Sequence, residues 1–295
     1  MPRSIDLRGQ SVANDRRLVK HGPLTFIQER SGIRDVKFED LEVTRTGHVA
    51  LVEIQRPPNN FFDVRLINDL GDAFESLDAD ANVRALVLAA QGKHFCAGAN
   101  FGDRSQQAER TARREQDGNP LYSAAVRLFA CKKPVIGAIQ GAAVGGGFGL
   151  AVMPDFRVVC PEARFTANFV KLGFHPGFAL THTLPKLIGQ QKANLMFLTG
   201  RRIDGATAYE WGLADALVER EDLRSRALSL AEEIAENAPL ALLSVRATMR
   251  QGIAEAVKRQ TDHEFVEQHR LQQTEDHKEG VRAVAERRPG NFVGR

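Results

Sequence analysis

The chain has few cysteines, no long apolar run and almost no net charge. Its 295 residues hold three cysteines, Cys96, Cys131 and Cys160, set among small or apolar neighbours. An odd number without metal-ligand spacing excludes a disulfide scaffold and a cysteine zinc site; free thiols in a reducing, cytoplasmic compartment are expected instead. No run of 18 or more apolar residues occurs, which excludes a membrane-spanning helix. The first residues hold no apolar core of a secretory leader. A net charge of +3 is too small to argue for a nucleic-acid partner. No internal repeat and no low-complexity tract appears. What remains is an ordinary globular balance, 43% hydrophobic and 26% charged, in a chain long enough to bury one large core.

The most informative segment runs from Gly141 to Leu150, Gly-Ala-Ala-Val-Gly-Gly-Gly-Phe-Gly-Leu. An apolar run before it, Pro134 to Ile139, reads as a buried strand. The run after it, Phe148 to Met153, reads as the start of a buried helix. Glycines at such a junction let a backbone come close to a ligand and leave N–H groups unpaired. The segment lacks the G-x-G-x-x-G spacing of a dinucleotide site. It also lacks the Gly-Lys-Ser/Thr end of a phosphate loop and the serine of a nucleophile elbow. Taken alone it fits either an oxyanion site or a packing turn with no ligand. A second strand candidate, Val83 to Ala90, runs into Gln91 to Phe101, where Gly98 again permits close approach. Two strand ends thus offer bare backbone donors, and a pair of donors is what an oxyanion hole needs.

These residues carry a resemblance. GKHFCAGANF (92–101) and IQGAAVGGGFGLAVMPDFRV (139–158) resemble the enoyl-CoA hydratase/isomerase (crotonase) superfamily. So do Arg56-Pro57-Pro58-Asn59, Leu172-Gly173-Phe174-His175-Pro176-Gly177, Thr199 to Ala214, and Asp276 to Arg288, in family order. The match covers about residues 38 to 292. It implies an α/β fold of the ClpP/crotonase type: repeated ββα units around a mostly parallel sheet, followed by a C-terminal helical trimerisation region. It implies an acyl-CoA substrate whose thioester oxygen is held by the N–H groups of Ala99 and Gly146. Ala97, Gly98, Asn100, Phe101, Gly145 and Phe169 would surround the ligand, and Arg287 would reach the CoA phosphates. No metal and no cofactor is expected, coenzyme A being part of the substrate. A homotrimer or a dimer of trimers is implied as well.

The resemblance breaks at the acids. A hydratase of this family places one glutamate after the glycine turn and another four residues before the L-G-x-x-P-G glycine. Here those positions are Gly149 and Phe169. Neither can move a proton, so ordinary two-glutamate hydration is not expected. His175 is the first candidate to replace them, because an imidazole titrates near neutral pH. A structural histidine bonded to a backbone carbonyl is the alternative. Asp103 and Glu109 lie in a polar stretch, residues 102 to 118, expected to be a loop or marginal helix. Asn168 could orient a water. His94 is expected to be exposed, and Asp155 to be a buried turn or cap partner.

Three regions are expected: an N-terminal extension (1–37), an α/β core (38–222) and a helical region (223–295). The core should open with a hairpin over Glu42 to Gln55, turning at Thr46-Gly47. Asp63 should cap a helix whose apolar face is Val64, Ile67, Leu70, Phe74 and Leu77. From Leu223 on the pattern is helical, broken at Pro239 and ending before Pro289. With little sheet to cover, these helices are expected to pack on a neighbouring subunit. Two other functions stay open: a catalytically silent acyl-CoA binder, and an RNA-binding side activity through the basic arm of residues 1–37.

Overall fold

The computed structural model describes residues 38–100 and 119–295. The arm of residues 1–37, Phe101, and the polar stretch with Asp103 and Glu109 lie outside the described residues. So the RNA-binding alternative and any role of those side chains rest on sequence alone.

Strands β1 (Leu41–Thr46) and β2 (Val49–Ile54) form the expected hairpin, with Thr46 opposite Val49. The turn falls on Gly47 and His48, and Gly47 adopts a φ of +57°, where glycine carries no steric cost. Helix α1 (Val64–Ala79) starts at Asp63, whose carboxylate accepts the Leu66 N–H at 2.8 Å. It buries Leu66, Ile67, Leu70, Phe74 and Leu77; Val64, at its first turn, is only half-buried.

The main sheet has the order β1-β2-β3-β4-β6-β9, with β3 (Ala85–Ala90), β4 (Val135–Ile139), β6 (Phe156–Val159) and β9 (Ala216–Leu217). All its pairs are parallel except β1 with β2. Every residue of β3 and β4 is buried, as a sheet covered on both faces requires. The two-residue period divides the faces. Leu86, Leu88 and Ala90 join the core under α1 and α2 (Pro120–Phe129), while Ala85, Val87 and Ala89 face α7 (Leu223–Ala235). The face of α7 is Leu223, Ala227, Ala231 and Ala235, small side chains that let it close on the sheet.

A second sheet, β5-β7-β8, stacks beyond the first, with β5 (Ala142–Val144), β7 (Arg164–Thr166) and β8 (Arg202–Asp204). Its first strand lies inside the glycine segment and is too short to show in the sequence. Helix α3 (Gly146–Val152) follows at once. The remaining helices are α4 (Leu180–Ile188), α5 (Gln190–Thr199), α6 (Gly205–Glu210), α8 (Pro239–Met249), α9 (Ile253–Gln272) and α10 (Glu275–Ala285). Pro239 begins α8, where its missing N–H costs nothing. Among the described residues no helix is long and apolar enough to cross a membrane.

One expectation needs correction. The C-terminal helices do not all turn outward. α7 covers its own sheet, α9 packs on α2 and α4, and α10 packs on the turn at residues 168–172. α8 buries only Arg246 and leaves Leu240 and Met249 each 81% exposed.

Candidate active site

Backbone pairing builds the site. The Cys96 N–H donates to Ala142 O at 2.9 Å, and the Val144 N–H returns to Cys96 O at 3.0 Å. On its other side the same strip pairs with residues 59–62: Ala97 N–H to Asn59 O at 2.9 Å, and Phe62 N–H to Gly98 O at 3.1 Å. The two glycine-bearing turns therefore run side by side. Their closeness dictates glycine. A Cβ on Gly98 would lie 2.7 Å from Val144 O, and one on Gly147 would strike Cys96 O and Sγ. Gly145 takes φ +56° and ψ −121°, a conformation that side chains oppose. Its own N–H is spent on Thr166 O at 2.9 Å.

Buried polar groups lock this frame. Asn60, fully buried, donates its amide to Gln91 O at 2.8 Å and His94 O at 2.6 Å, and accepts the Arg56 N–H at 3.0 Å. His94 is not the exposed side chain expected. It is half-buried, and its Nδ1 accepts the Ala142 N–H at 3.1 Å, which ties the two turns together. Burial, then Lys93 and Arg220, hold its pKa below the usual imidazole value, as an accepting, neutral ring requires.

Among the described residues, the N–H groups of Ala99 and Gly146 have no hydrogen-bond acceptor. Gly146 is the first residue of α3, so helix geometry gives it no partner either. Ala97, Ala99, Asn100, Gly145 and Gly146 are all partly open to solvent, while Gly98 is buried beneath them. Cys96 sits next to this strip, but burial pushes its thiol up to about 12, so no thiolate is available as a nucleophile.

The walls are aromatic. Phe62 lies so close over Gly146 that a Cβ there would meet its ring. Phe169, in the short 3-10 turn Asn168–Leu172, approaches Gly145, with its Cζ 3.6 Å from where a Cβ would stand. Phe178 rests on Gly149, and its ring centroid is 6.0 Å from that of Phe62. The space beside Gly149 is therefore filled by hydrocarbon.

His175 is tied elsewhere. Its Nδ1–H donates to Pro176 O at 2.8 Å, and its ring stands edge-on to His263 of α9, 5.9 Å between centroids. The bond to a carbonyl engages Nδ1 alone. Asp155 is the turn partner expected, though half-buried: it accepts the Val135 N–H at 2.8 Å and pairs with Arg246 and Arg250 of the α8 region. Arg287 is exposed at φ +55°, whereas its neighbour Arg288 pairs with Glu279 and Glu286. Among the described residues no group of three His, Cys, Asp or Glu could hold a metal ion.

Sequence reading missed Phe62, Phe178, Tyr122, Gln268 and Glu264. The last three are polar side chains buried between helices and the turn at 175–181. Glu264 is held by amides and a hydroxyl, yet burial dominates and lifts its carboxyl to about 7.

The two sheets, the glycine-built pair of turns and the C-terminal helices together define a member of the enoyl-CoA hydratase/isomerase family: that family's sequence profile matches residues 44–295. The chain has the crotonase fold. It superposes on an enoyl-CoA hydratase/isomerase from Pseudoalteromonas atlantica T6c with a TM-score of 0.77 at 28% identity, covering 86% of this chain and all of that one. An enoyl-CoA hydratase from Mycobacterium avium subsp. paratuberculosis gives 0.73 at 25% identity, over 86% of this chain and 98% of that one. Among curated relatives, the carnitinyl-CoA dehydratase of Proteus mirabilis is 32% identical over 262 residues, 87% of this chain and 99% of its own.

Proposed function

We propose that this protein is an acyl-CoA-processing enzyme that stabilises a thioester enolate between the Ala99 and Gly146 N–H groups. The observation that carries the reading is the pair of unbonded N–H groups on two turns in direct backbone contact. Charge that develops on a thioester oxygen would meet donors already in place, each worth about 2.7–4 kcal/mol in comparable sites. Ala97, Gly98, Asn100 and Gly145 would contact the CoA ester by backbone, Phe169 would face the acyl group, and Arg287 would supply charge to the phosphates. We assign the proton-transfer role to His175, through Nε2, since Nδ1 is engaged with Pro176 O. No cofactor beyond the CoA of the substrate is required, and a cytoplasmic site fits three free, buried cysteines.

Gly149 and Phe169 favour a second reading, a silent acyl-CoA binder. One series of measurements separates the two. Acetyl-CoA or crotonyl-CoA at a hundredfold excess over Kd should raise Tm by about 4 °C. Crotonyl-CoA should be hydrated far below hydratase rates. A search over acyl-CoA esters should find one whose turnover falls in His175→Ala more than its binding does. No shift with CoA or either ester would sink both readings. Fast hydration of crotonyl-CoA would show that Gly149 and Phe169 were misjudged, and unchanged turnover in His175→Ala would discard the histidine.

The exposed face of α8 supports a homotrimer or a dimer of trimers. Leu240, Val245 and Met249 are 81%, 63% and 81% exposed, apolar side chains that one short helix leaves in water on more than one side. Sedimentation of Leu240→Glu/Met249→Glu should give monomers where the unsubstituted chain gives trimers or larger. A monomeric unsubstituted chain, or an unchanged assembly, would refute this.

A further inference from the structure

Glu264 lies within α9 with no exposed surface, and no cation pairs with it among the described residues. Its Oε2 accepts the Ala179 N–H at 2.8 Å; its Oε1 accepts the Thr181 hydroxyl at 2.6 Å and the Thr181 N–H at 3.3 Å. One turn earlier Gln260 donates to Thr181 Oγ1 at 2.8 Å. One turn later Gln268 donates to His175 O and Pro176 O at 3.0 and 3.2 Å, and accepts the Tyr122 hydroxyl at 2.7 Å. Three successive turns of α9 therefore grip residues 175–181.

That segment needs holding. Phe178 and Ala179 have φ of +61° and +55°, the left-handed region that side chains oppose. Ala179 also precedes α4, so its N–H and that of Thr181 belong to a helix start with no partner of its own. A leucine at 264 would fill similar space without the cost of burying a carboxyl, but would leave both amides unpaired. The result of the grip appears at the site: Phe178 is 1% exposed, and its Cβ stands 2.6 Å from where a Cβ on Gly149 would be.

We infer that Glu264 is a positioning residue: through the Ala179 N–H it fixes the left-handed turn that sets Phe178 over Gly149, so the site accepts acyl groups whose reacting carbons meet an apolar wall and no carboxylate from α3. The substrate half of this inference rests on the function proposed above; the positioning half does not. The two halves are measured separately.

The positioning half is read by a double-mutant cycle in chemical unfolding, with no ligand. Gly149→Ala alone should lower the folded-to-unfolded ratio about 30-fold, because its methyl meets Phe178. In a Glu264→Ala background, with the turn released, the same change should cost less than about threefold. Glu264→Gln keeps one acceptor oxygen and should restore most of the larger cost. Should Glu264→Ala not fold, Thr181→Val takes its place and should reduce the cost to an intermediate value. Equal costs of Gly149→Ala in all backgrounds overturn the positioning role.

The substrate half is read by the ratio of butyryl-CoA to CoA affinity. Glu264→Ala should lower that ratio about tenfold while leaving CoA affinity unchanged, and Glu264→Gln should recover it. A ratio that does not move overturns the wall assignment. If the cycle shows coupling but the unsubstituted chain binds no CoA ester, the positioning role is supported and the proposed function is what fails.

Discussion

Gly149→Glu, the substitution that writes the hydratase glutamate back into the sequence, is expected to destabilise the protein by about 4 kcal/mol, roughly 6 °C in Tm, and to create no hydratase. Two terms add. The first is steric: Phe178 Cβ, Cγ and Cδ1 would all stand within 2.8 Å of the new Cβ. The second is electrostatic, because position 149 is buried and the side chain it faces is the hydrocarbon of Phe178. In a Phe178→Gly background the same substitution should cost less, since glycine removes the clash and suits a φ of +61°. Thermal unfolding and a crotonyl-CoA assay check this together. A Gly149→Glu protein as stable as its parent, or one that hydrates crotonyl-CoA briskly, would show that the glycine is an incidental loss with room kept for the acid.

The second large effect is expected at Arg157, a buried cation with no role in the proposed chemistry. Its guanidinium is 2% exposed and collects carbonyls: Leu213 O at 2.6 Å, Pro154 O at 2.6 Å, Asp155 O at 3.1 Å and Val152 O at 3.3 Å. Asp215 stands 3.6 Å away. Desolvation lowers its pKa from the ordinary arginine value, opposed by the charges of Asp215 and Asp155. Val152 ends α3, the seven-residue helix that begins at Gly146. A helix this short cannot hold itself together. Its end is gathered by Arg157 through the Val152 and Pro154 carbonyls. Arg157→Met keeps the length and removes every donor, leaving buried carbonyls unpaired at about 1–3 kcal/mol each. We expect a loss of about 5 kcal/mol, close to 8 °C in Tm. A loss under about 1 kcal/mol would mean that water replaces the guanidinium and that α3 is anchored elsewhere.

How far each feature could be read from the chain depends on whether its cause is local. The strand over 85–90, the hairpin, the Asp63 cap and the α1 face follow from two-residue and 3.6-residue periods and one side-chain oxygen, and they stand almost where expected. His94 is misread from sequence because Gly92 and Lys93 before it suggest an exposed turn, while its actual partner is the Ala142 amide, 48 residues on. The α9 face was invisible for a similar reason. Its buried stripe is Val257, Thr261, Glu264 and Gln268, with helical spacing but mostly polar residues, and a hydrophobic period cannot report it. Nothing near Phe178 or Ala179 marks a left-handed turn, since neither residue type favours one.

The glycine turns, their order along the chain and the absence of both glutamates were legible in the residues alone. Glycine records a backbone requirement wherever it occurs, and a missing carboxylate cannot be supplied by folding. The position of His175 against α9, the Phe178 ring over Gly149 and the carboxyl of Glu264 beneath that turn were not legible. Each is a contact between segments that lie 29 to 88 positions apart, and such contacts are set by which helix packs on which turn, a choice that belongs to the whole core and to no single stretch of chain.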